Sequence, residues 1–175
     1  MIAAFIQSPV FRLLPVGVIL LALQNTLFVD LQPAGVIVQV LLALAAAAGA
    51  AGGADRGALA GFVLGLIYDL GTDSPIGATA LTMALGGVVA GIAWTIMVDP
   101  PWWLAAVFTT IGAAAGELAV PVLRIFIGEA EAFEPRFTRV VIVVAIAAGA
   151  LSPLFVPLSR WCLRIRKPDW KALAE

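Results

Sequence analysis

The residue of this chain best suited to chemistry inside an apolar environment is Glu117, which lies in the middle of the apolar stretch 102–127. A carboxylate at such a depth costs about 2.5–3.5 kcal/mol and normally faces other helices or a cavity. Arg124 follows two helical turns later on a similar face, where it can pair with Glu117 directly or through water. The pattern is compatible with a proton or ion relay, or with a buried polar anchor between helices.

A second acid, Asp69, ends a shorter apolar stretch. The helix dipole disfavours an acid at a helix C-terminus, so Asp69 is predicted to have a specific partner, either in the same bundle or in another protein. The residues after it suggest the start of the next helix. Asp73 or Ser74 is expected to cap that helix, with Pro75 at its first position.

Small residues next to Asp69 form the third candidate feature. Gly53, Gly57, Gly61 and Gly65 recur every four residues, which places them near one face of a helix and lets a neighbouring helix approach at backbone distance. That neighbour can belong to the bundle or to a partner. The candidates for partner contact or packing are Gly57, Gly61, Phe62, Gly65, Asp69, Ser74 and Gly77.

The elements that must position these residues are membrane helices. The chain of 175 residues is 62% hydrophobic and only 12% charged, far from the averages of soluble domains. Six segments are predicted to span the membrane as one domain: 13–29, 35–53, 56–71, 76–98, 102–127 and 140–158. The apolar part of the third, 58–70, is roughly 20 Å long against a hydrocarbon core of about 30 Å. The prediction is therefore an all-α bundle of six transmembrane helices with a short third helix.

Basic residues predict the orientation, because they are retained on the cytoplasmic side of a membrane when they lie near helix ends. Most of them are cytoplasmic if both termini are inside, and four tryptophans then gather at the same interface. Residues 159–175 form a predicted basic cytoplasmic tail. Its membrane-surface anchor is expected to comprise Arg160, Trp161, Arg164, Arg166 and Lys167.

Composition also limits the kinds of site that this chain can form. It has one cysteine and no histidine, which excludes a disulfide within the chain and the usual zinc and haem ligand sets. The net charge of -1 and the lack of a soluble domain argue against nucleic-acid binding. No nucleophile–base pair can be assembled at membrane depth, so we expect neither an enzyme nor a cofactor.

One stretch resembles a known family. The run Gly61-Phe62-Val63-Leu64-Gly65, then Tyr68-Asp69-Leu70, then Ser74-Pro75-Ile76-Gly77 and Ala80-Leu81 is similar to the signature of MreD, the bacterial rod shape-determining membrane protein. The likeness extends more loosely over the chain, through the Gln-Asn-Thr end of the first segment, the acid at Glu117 and the basic tail. The second segment departs from the family pattern, being dominated by alanine over 43–51.

The resemblance implies a non-enzymatic scaffold in the bacterial plasma membrane that takes part in peptidoglycan synthesis and cell shape. Members of the family associate with MreC, and with RodA, a class B penicillin-binding protein and MreB filaments in the same complex. The family's bundle is similar to the substrate-binding subunits of energy-coupling factor vitamin transporters. A substrate-binding subunit of a small-molecule transporter, with Glu117 and Asp69 lining a pocket, is the alternative.

Overall fold

The computed structural model describes residues 9–27, 32–72, 74–128 and 135–165, and within these ranges the chain is helical with no strand. The N-terminal half contains α1 Pro9–Thr26, a 3-10 turn Pro33–Gly35, α2 Val40–Gly52 and α3 Ala54–Gly71. The C-terminal half contains α4 Ala78–Gly91, the short α5 Ala93–Ile96, α6 Trp102–Ile127 and α7 Phe137–Cys162.

Three helical stretches of the described residues are long and apolar enough to cross a membrane. They are Ala78–Ile96, which joins α4 and α5, Trp102–Ile127 and Phe137–Cys162. Val10–Thr26 and Val40–Gly52 are apolar but shorter. Helix α3 has sufficient length, but it carries Asp55, Arg56 and Asp69. Length and composition therefore identify a helical membrane protein with three candidate spans.

Helix α2 is the centre of the bundle. Every residue from Val40 to Ala51 is buried, and the helix packs against α3, α4, α6 and α7 and, less extensively, α1. A helix that is surrounded in this way needs small side chains, because each neighbour can then come close without leaving a void. This position accounts for the alanines of 43–51, which the family pattern did not predict.

The helix boundaries differ from the predicted ones at the loops. Helix α2 starts at Val40 and not at 35, because Pro33–Gly35 forms a 3-10 turn that ends at Gly35 with φ 73°. Helix α4 starts at Ala78 and not at 76, because Gly77 precedes it in the left-handed conformation with φ 94°. Pro75 is therefore not the first residue of that helix.

The last helix is longer than predicted at both ends. It runs from Phe137 to Cys162 instead of 140–158, and it passes through Pro153 and Pro157. Residues 159–162, expected to belong to the basic tail, are its final turn. The first helix is already helical at Pro9, before the predicted start at 13, and ends at Thr26, whereas 28 and 29 lie outside the described residues.

Antiparallel packing gives the bundle two ends. The Gly53 end contains the link between α2 and α3, the loop between α5 and α6, and the C-terminus of α7. The Gly77 end contains the turn between α3 and α4, the start of α2, the C-terminus of α6 and the N-terminus of α7. Asp69, Ser74, Glu117 and Arg124 lie at or towards the Gly77 end.

Candidate functional site

The Asp69 carboxylate binds the start of the next helix. Its Oδ2 accepts hydrogen bonds from the backbone N–H of Gly77 (2.8 Å) and Ala80 (3.3 Å). Its Oδ1 accepts from the Ser74 hydroxyl (2.8 Å) and the N–H of Thr79 (3.2 Å). The N–H groups of a helix's first turn have no partner in their own helix, and a negative charge there is favoured by the dipole. Asp69, which is 2% exposed, thus caps α4 from the end of α3.

The partner predicted for Asp69 therefore lies in this chain. Ser74 does not cap α4 with its own side chain, because its hydroxyl donates to Asp69 and also lies 3.0 Å from the Thr72 hydroxyl. The expected capping role of Asp73 lies outside the described residues. The candidates Asp69, Ser74 and Gly77 are thus brought together as one closed turn.

The glycine face of α3 packs against α4. A Cβ added at Gly57 would overlap the backbone of Gly87, one at Gly61 the backbone of Met83, and one at Gly65 the backbone of Ala80. Backbone atoms cannot yield as a flexible side chain can, so these positions exclude every larger residue. Helix α4 therefore occupies this face in the described structure, which supports the packing alternative for these glycines.

Phe62 lies between two of these glycines but points the other way. Its side chain is 46% exposed, whereas Gly61 is buried. Together with Pro75, Ile76, Gly77 and Leu81 it lines part of an open apolar groove. In a membrane protein such a surface is normally covered by lipid tails.

Glu117 is one of the residues that line a small cavity at the Gly77 end. Glu117 is 4% exposed, and its Oε1 has no hydrogen-bond partner among the residues that the structure describes. The cavity has a volume of about 160 Å³. Its walls come from the start of α2, the C-terminal half of α6 and the first turn of α7: Gln39, Glu117, Val120, Pro121, Arg124, Phe137 and Val140.

Pro121 and Arg124 affect the polar groups of Glu117 beside this cavity. Pro121 has no N–H to donate to the carbonyl of Glu117, so that carbonyl lacks its usual helical bond although α6 continues to Ile127. The Arg124 guanidinium interacts electrostatically with the Glu117 carboxylate, as the sequence predicted. The Tyr68 hydroxyl is close enough to Glu117 and Asp69 for both carboxylates to act on it electrostatically. Glu117 is therefore one of several polar side chains that interact electrostatically at this end of the bundle.

A second cavity of about 250 Å³ lies beside the first one and shares Val120 and Arg124 with it. Its uncharged polar residues are Ser74, Thr79 and Thr82. The site predictions did not include Gln39 or Thr82. The signal for Gln39 was present, since it is a polar residue inside a predicted span, but Thr82 could not be found because threonine is common in membrane helices.

Polar residues fix the other end of the bundle as well. The Arg12 guanidinium lies 5.1 Å from the centre of the Trp161 ring and donates to the Trp161 carbonyl (3.4 Å). Arg160 forms an ion pair with Asp99 in the loop before α6. Two members of the predicted anchor, Arg160 and Trp161, are thus engaged within the protein, and Arg164 is exposed. Arg166 and Lys167 lie outside the described residues.

Among the described residues, no three acidic or cysteine side chains come together that could hold a metal ion. Comparisons with family models, with curated proteins and with solved structures give no match for this chain.

Proposed function

We propose that this chain is a membrane scaffold of the MreD type, which helps to couple MreB filaments to peptidoglycan synthesis and so to cell shape. In this proposal six helices cross the bacterial plasma membrane, both termini are cytoplasmic, and MreC is the direct partner. RodA and a class B penicillin-binding protein belong to the same complex. The protein has no catalytic step of its own.

The observation that carries the proposal is the signature run from Gly61 to Gly77. Its separate parts have one structural explanation: the glycines admit the backbone of α4, and Asp69 binds Ser74 and the N–H of Gly77. Residues that depend on each other in this way form a meaningful motif, which supports the resemblance to MreD as more than a chance run of small residues.

The partner surface in this proposal is not the glycine face. Both that face and Asp69 are occupied by α4. Contacts with a single-span partner therefore have to use side chains on the outside of the bundle, of which Phe62, Ile76 and Leu81 are exposed next to the motif. In this proposal the signature residues maintain the packing of α3 against α4, and the partner binds to the outer surface of that helix pair.

The test is co-purification from the organism's own membranes. Tagged protein is expected to recover MreC, whereas a tagged multi-pass membrane protein of unrelated function, produced at equal abundance, is not. Depletion of the chain is expected to turn rods into round cells. Failure to recover MreC, together with rods that persist after depletion, would contradict the proposal.

The second candidate, a substrate-binding subunit of a small-molecule transporter, is favoured by the cavities beside Glu117. Two observations favour the scaffold over it. Asp69 is engaged in the α3–α4 turn and does not line either cavity. The cavities of about 250 and 160 Å³ are each smaller than the roughly 300 Å³ at which pockets for drug-sized ligands begin. Saturable binding of a vitamin by the purified protein would favour transport.

A further inference from the structure

Two arginines at the Gly53 end are exposed and are not engaged within the protein. Arg56 lies in the first turn of α3 and Arg164 lies just after α7. Neither forms a hydrogen bond or an ion pair with the residues that the structure describes. The other two arginines described at this end already contact a tryptophan and an aspartate of the same chain. Arg56 and Arg164 are therefore the guanidinium groups that can bind something outside the bundle.

The acids of the same end do not neutralise these two arginines. Asp55 is exposed and precedes Arg56 directly, but successive residues of a helix do not face each other. Asp99 pairs with Arg160. The described part of the Gly53 end carries four arginines and these two acids, so its net charge is +2. The surface is therefore complementary to a negatively charged partner.

The free arginines belong to one patch over the link between α2 and α3. A Cβ built on Gly52 would lie 2.5 Å from Cδ1 of Ile165 and 2.8 Å from Cδ of Arg56, so both side chains cover this glycine. Arg164 precedes Ile165 directly in the chain. Arg56 and Arg164 are thus neighbours on the surface, although they come from α3 and from the end of α7.

The backbone of Arg164 has a conformation that favours glycine. Its φ is 52°, and the N–H of Ile165 donates to the carbonyl of Arg160 (3.0 Å), as is common where a helix ends with a left-handed residue. A side chain at such a position costs energy that glycine does not. Strained residues often have a functional role. The arginine side chain has no bond within the described protein, so we expect its role to be a contact outside the protein.

Exposed tryptophans indicate what this end of the bundle faces. Trp102, Trp103 and Trp161 all lie at the Gly53 end, and more than half of each side chain is exposed. Tryptophan is enriched at the level of the lipid headgroups, where a membrane meets water. Arginines at the same level are attracted by anionic lipids. The partner that fits both the tryptophans and the positive charge is a lipid surface.

We propose that Arg56 and Arg164 bind the headgroups of anionic phospholipids and so select them over zwitterionic lipids around the Gly53 end. The selection is by charge, because a zwitterionic headgroup carries an ammonium that cancels the charge of its phosphate. The membrane-surface anchor then comprises Arg56, which the sequence did not predict, together with Arg164. The inference requires that the chain spans a membrane, but it does not rest on the scaffold function.

Tryptophan fluorescence of the full chain in lipid vesicles tests this selection. The background is Trp170→Phe, which leaves the tryptophans at 94, 102, 103 and 161, all at the Gly53 end. Brominated phosphatidylglycerol or brominated phosphatidylcholine is added as a quencher at equal mole fraction. The anionic lipid is expected to be enriched about fivefold next to the tryptophans, the preference that one basic residue near the surface provides. Added salt should reduce the enrichment.

Two double variants make the test specific to the patch. Arg56→Gln with Arg164→Gln is expected to lose at least half of the enrichment, while the basic residues after 165 stay unchanged. Arg136→Gln with Arg139→Gln removes two exposed arginines at the Gly77 end and is expected to behave as the wild type does. Equal quenching by the two lipids would overturn the proposal. Unchanged enrichment in the first variant would also overturn it, because the preference would then belong to the tail.

A third variant tests whether the strain at Arg164 is connected with lipid binding. Arg164→Gly is expected to raise the thermal unfolding midpoint in uncharged detergent, because glycine adopts φ 52° without strain. The same variant should lower the enrichment of phosphatidylglycerol. A lower midpoint would mean that the arginine side chain stabilises the protein itself, and would contradict a role outside it.

Discussion

At the scale of single residues, Asp69 joins two helices by accepting hydrogen bonds from four groups. An N-cap residue usually comes directly before its helix and satisfies one or two of the free N–H groups. Here the acceptor comes from the preceding helix, and three backbone N–H groups and one hydroxyl depend on it. The closure of the α3–α4 turn therefore depends on one buried carboxylate.

We expect Asp69→Ala to lower the free energy of unfolding by about 3 kcal/mol, because the half-buried N–H of Gly77 and the buried N–H of Ala80 lose their acceptor. Asp69→Asn is expected to lose less, since its amide keeps one acceptor oxygen. Denaturant titration of the purified protein measures both. Asp55→Ala, at an exposed position of the same helix, is the control and is expected to change stability by less than about 0.5 kcal/mol.

Hydrogen exchange separates the loss of this cap from general destabilisation. In Asp69→Ala the amides of Gly77, Thr79 and Ala80 should exchange faster than those in the middle of α4. Uniformly faster exchange along α4 would contradict the capping role.

The sequence was sufficient to predict that Asp69 needs a partner, since an acid at a helix C-terminus is unfavourable. It was not sufficient to identify that partner. The bonded residues lie 5 to 11 positions further along the chain, and they reach Asp69 only because Gly77 adopts φ 94°. For Glu117 the burial and the electrostatic interaction with Arg124 were predictable, but the cavity was not, because its walls come from three separate helices.

At the scale of helices, the four-residue spacing of glycines allows α3 and α4 to pack closely. Gly57, Gly61 and Gly65 each lie against the backbone of α4, so the two helix axes approach as closely as their main chains allow. The glycine periodicity predicted such a close approach. The identity of the neighbour was not predictable, because a helix of the same bundle and a helix of a partner place the same demand on the sequence.

Gly61→Leu is expected to prevent the close approach of α3 and α4 and to abolish the accumulation of folded protein. Overpacking by even a methylene commonly costs about 1–3 kcal/mol, and here a whole side chain would meet backbone atoms. Membrane abundance and fluorescence-detected size exclusion give the measurement.

The neighbouring substitution Phe62→Leu is the matched control, because Phe62 faces outward on the same helix. It should fold at wild-type abundance. Normal folding of Gly61→Leu would mean that α4 does not occupy the glycine face in the membrane.

At the scale of the whole molecule, arginine and tryptophan side chains connect helices that are distant in sequence at the Gly53 end. Arg12 of α1 lies against Trp161 of α7, and Arg160 pairs with Asp99. The predicted gathering of basic and aromatic residues at one interface is compatible with these contacts. The side of the membrane on which this end lies remains a prediction from the distribution of charge.

Cysteine accessibility tests that orientation. The single native cysteine, Cys162, is buried and is replaced by alanine to give the background. In intact spheroplasts an impermeant maleimide is expected to label Thr138→Cys, at the Gly77 end, and to label Asp55→Cys, at the Gly53 end, only after permeabilisation. Both positions are exposed, so unequal burial does not decide the result. The reverse pattern would place the termini outside.

The length of the central helix α2 affects how the bundle fits the bilayer. Helix α2 has 13 residues, so it is roughly 20 Å long and shorter than a hydrocarbon core of about 30 Å. It tolerates this mismatch because its neighbours, and not lipid, surround it. The cavity that Gln39 and Glu117 line lies next to the N-terminus of α2. Since α6 and α7 line that space and carry exposed apolar side chains, we expect a thicker or thinner bilayer to change their tilt and thus the size of the cavity.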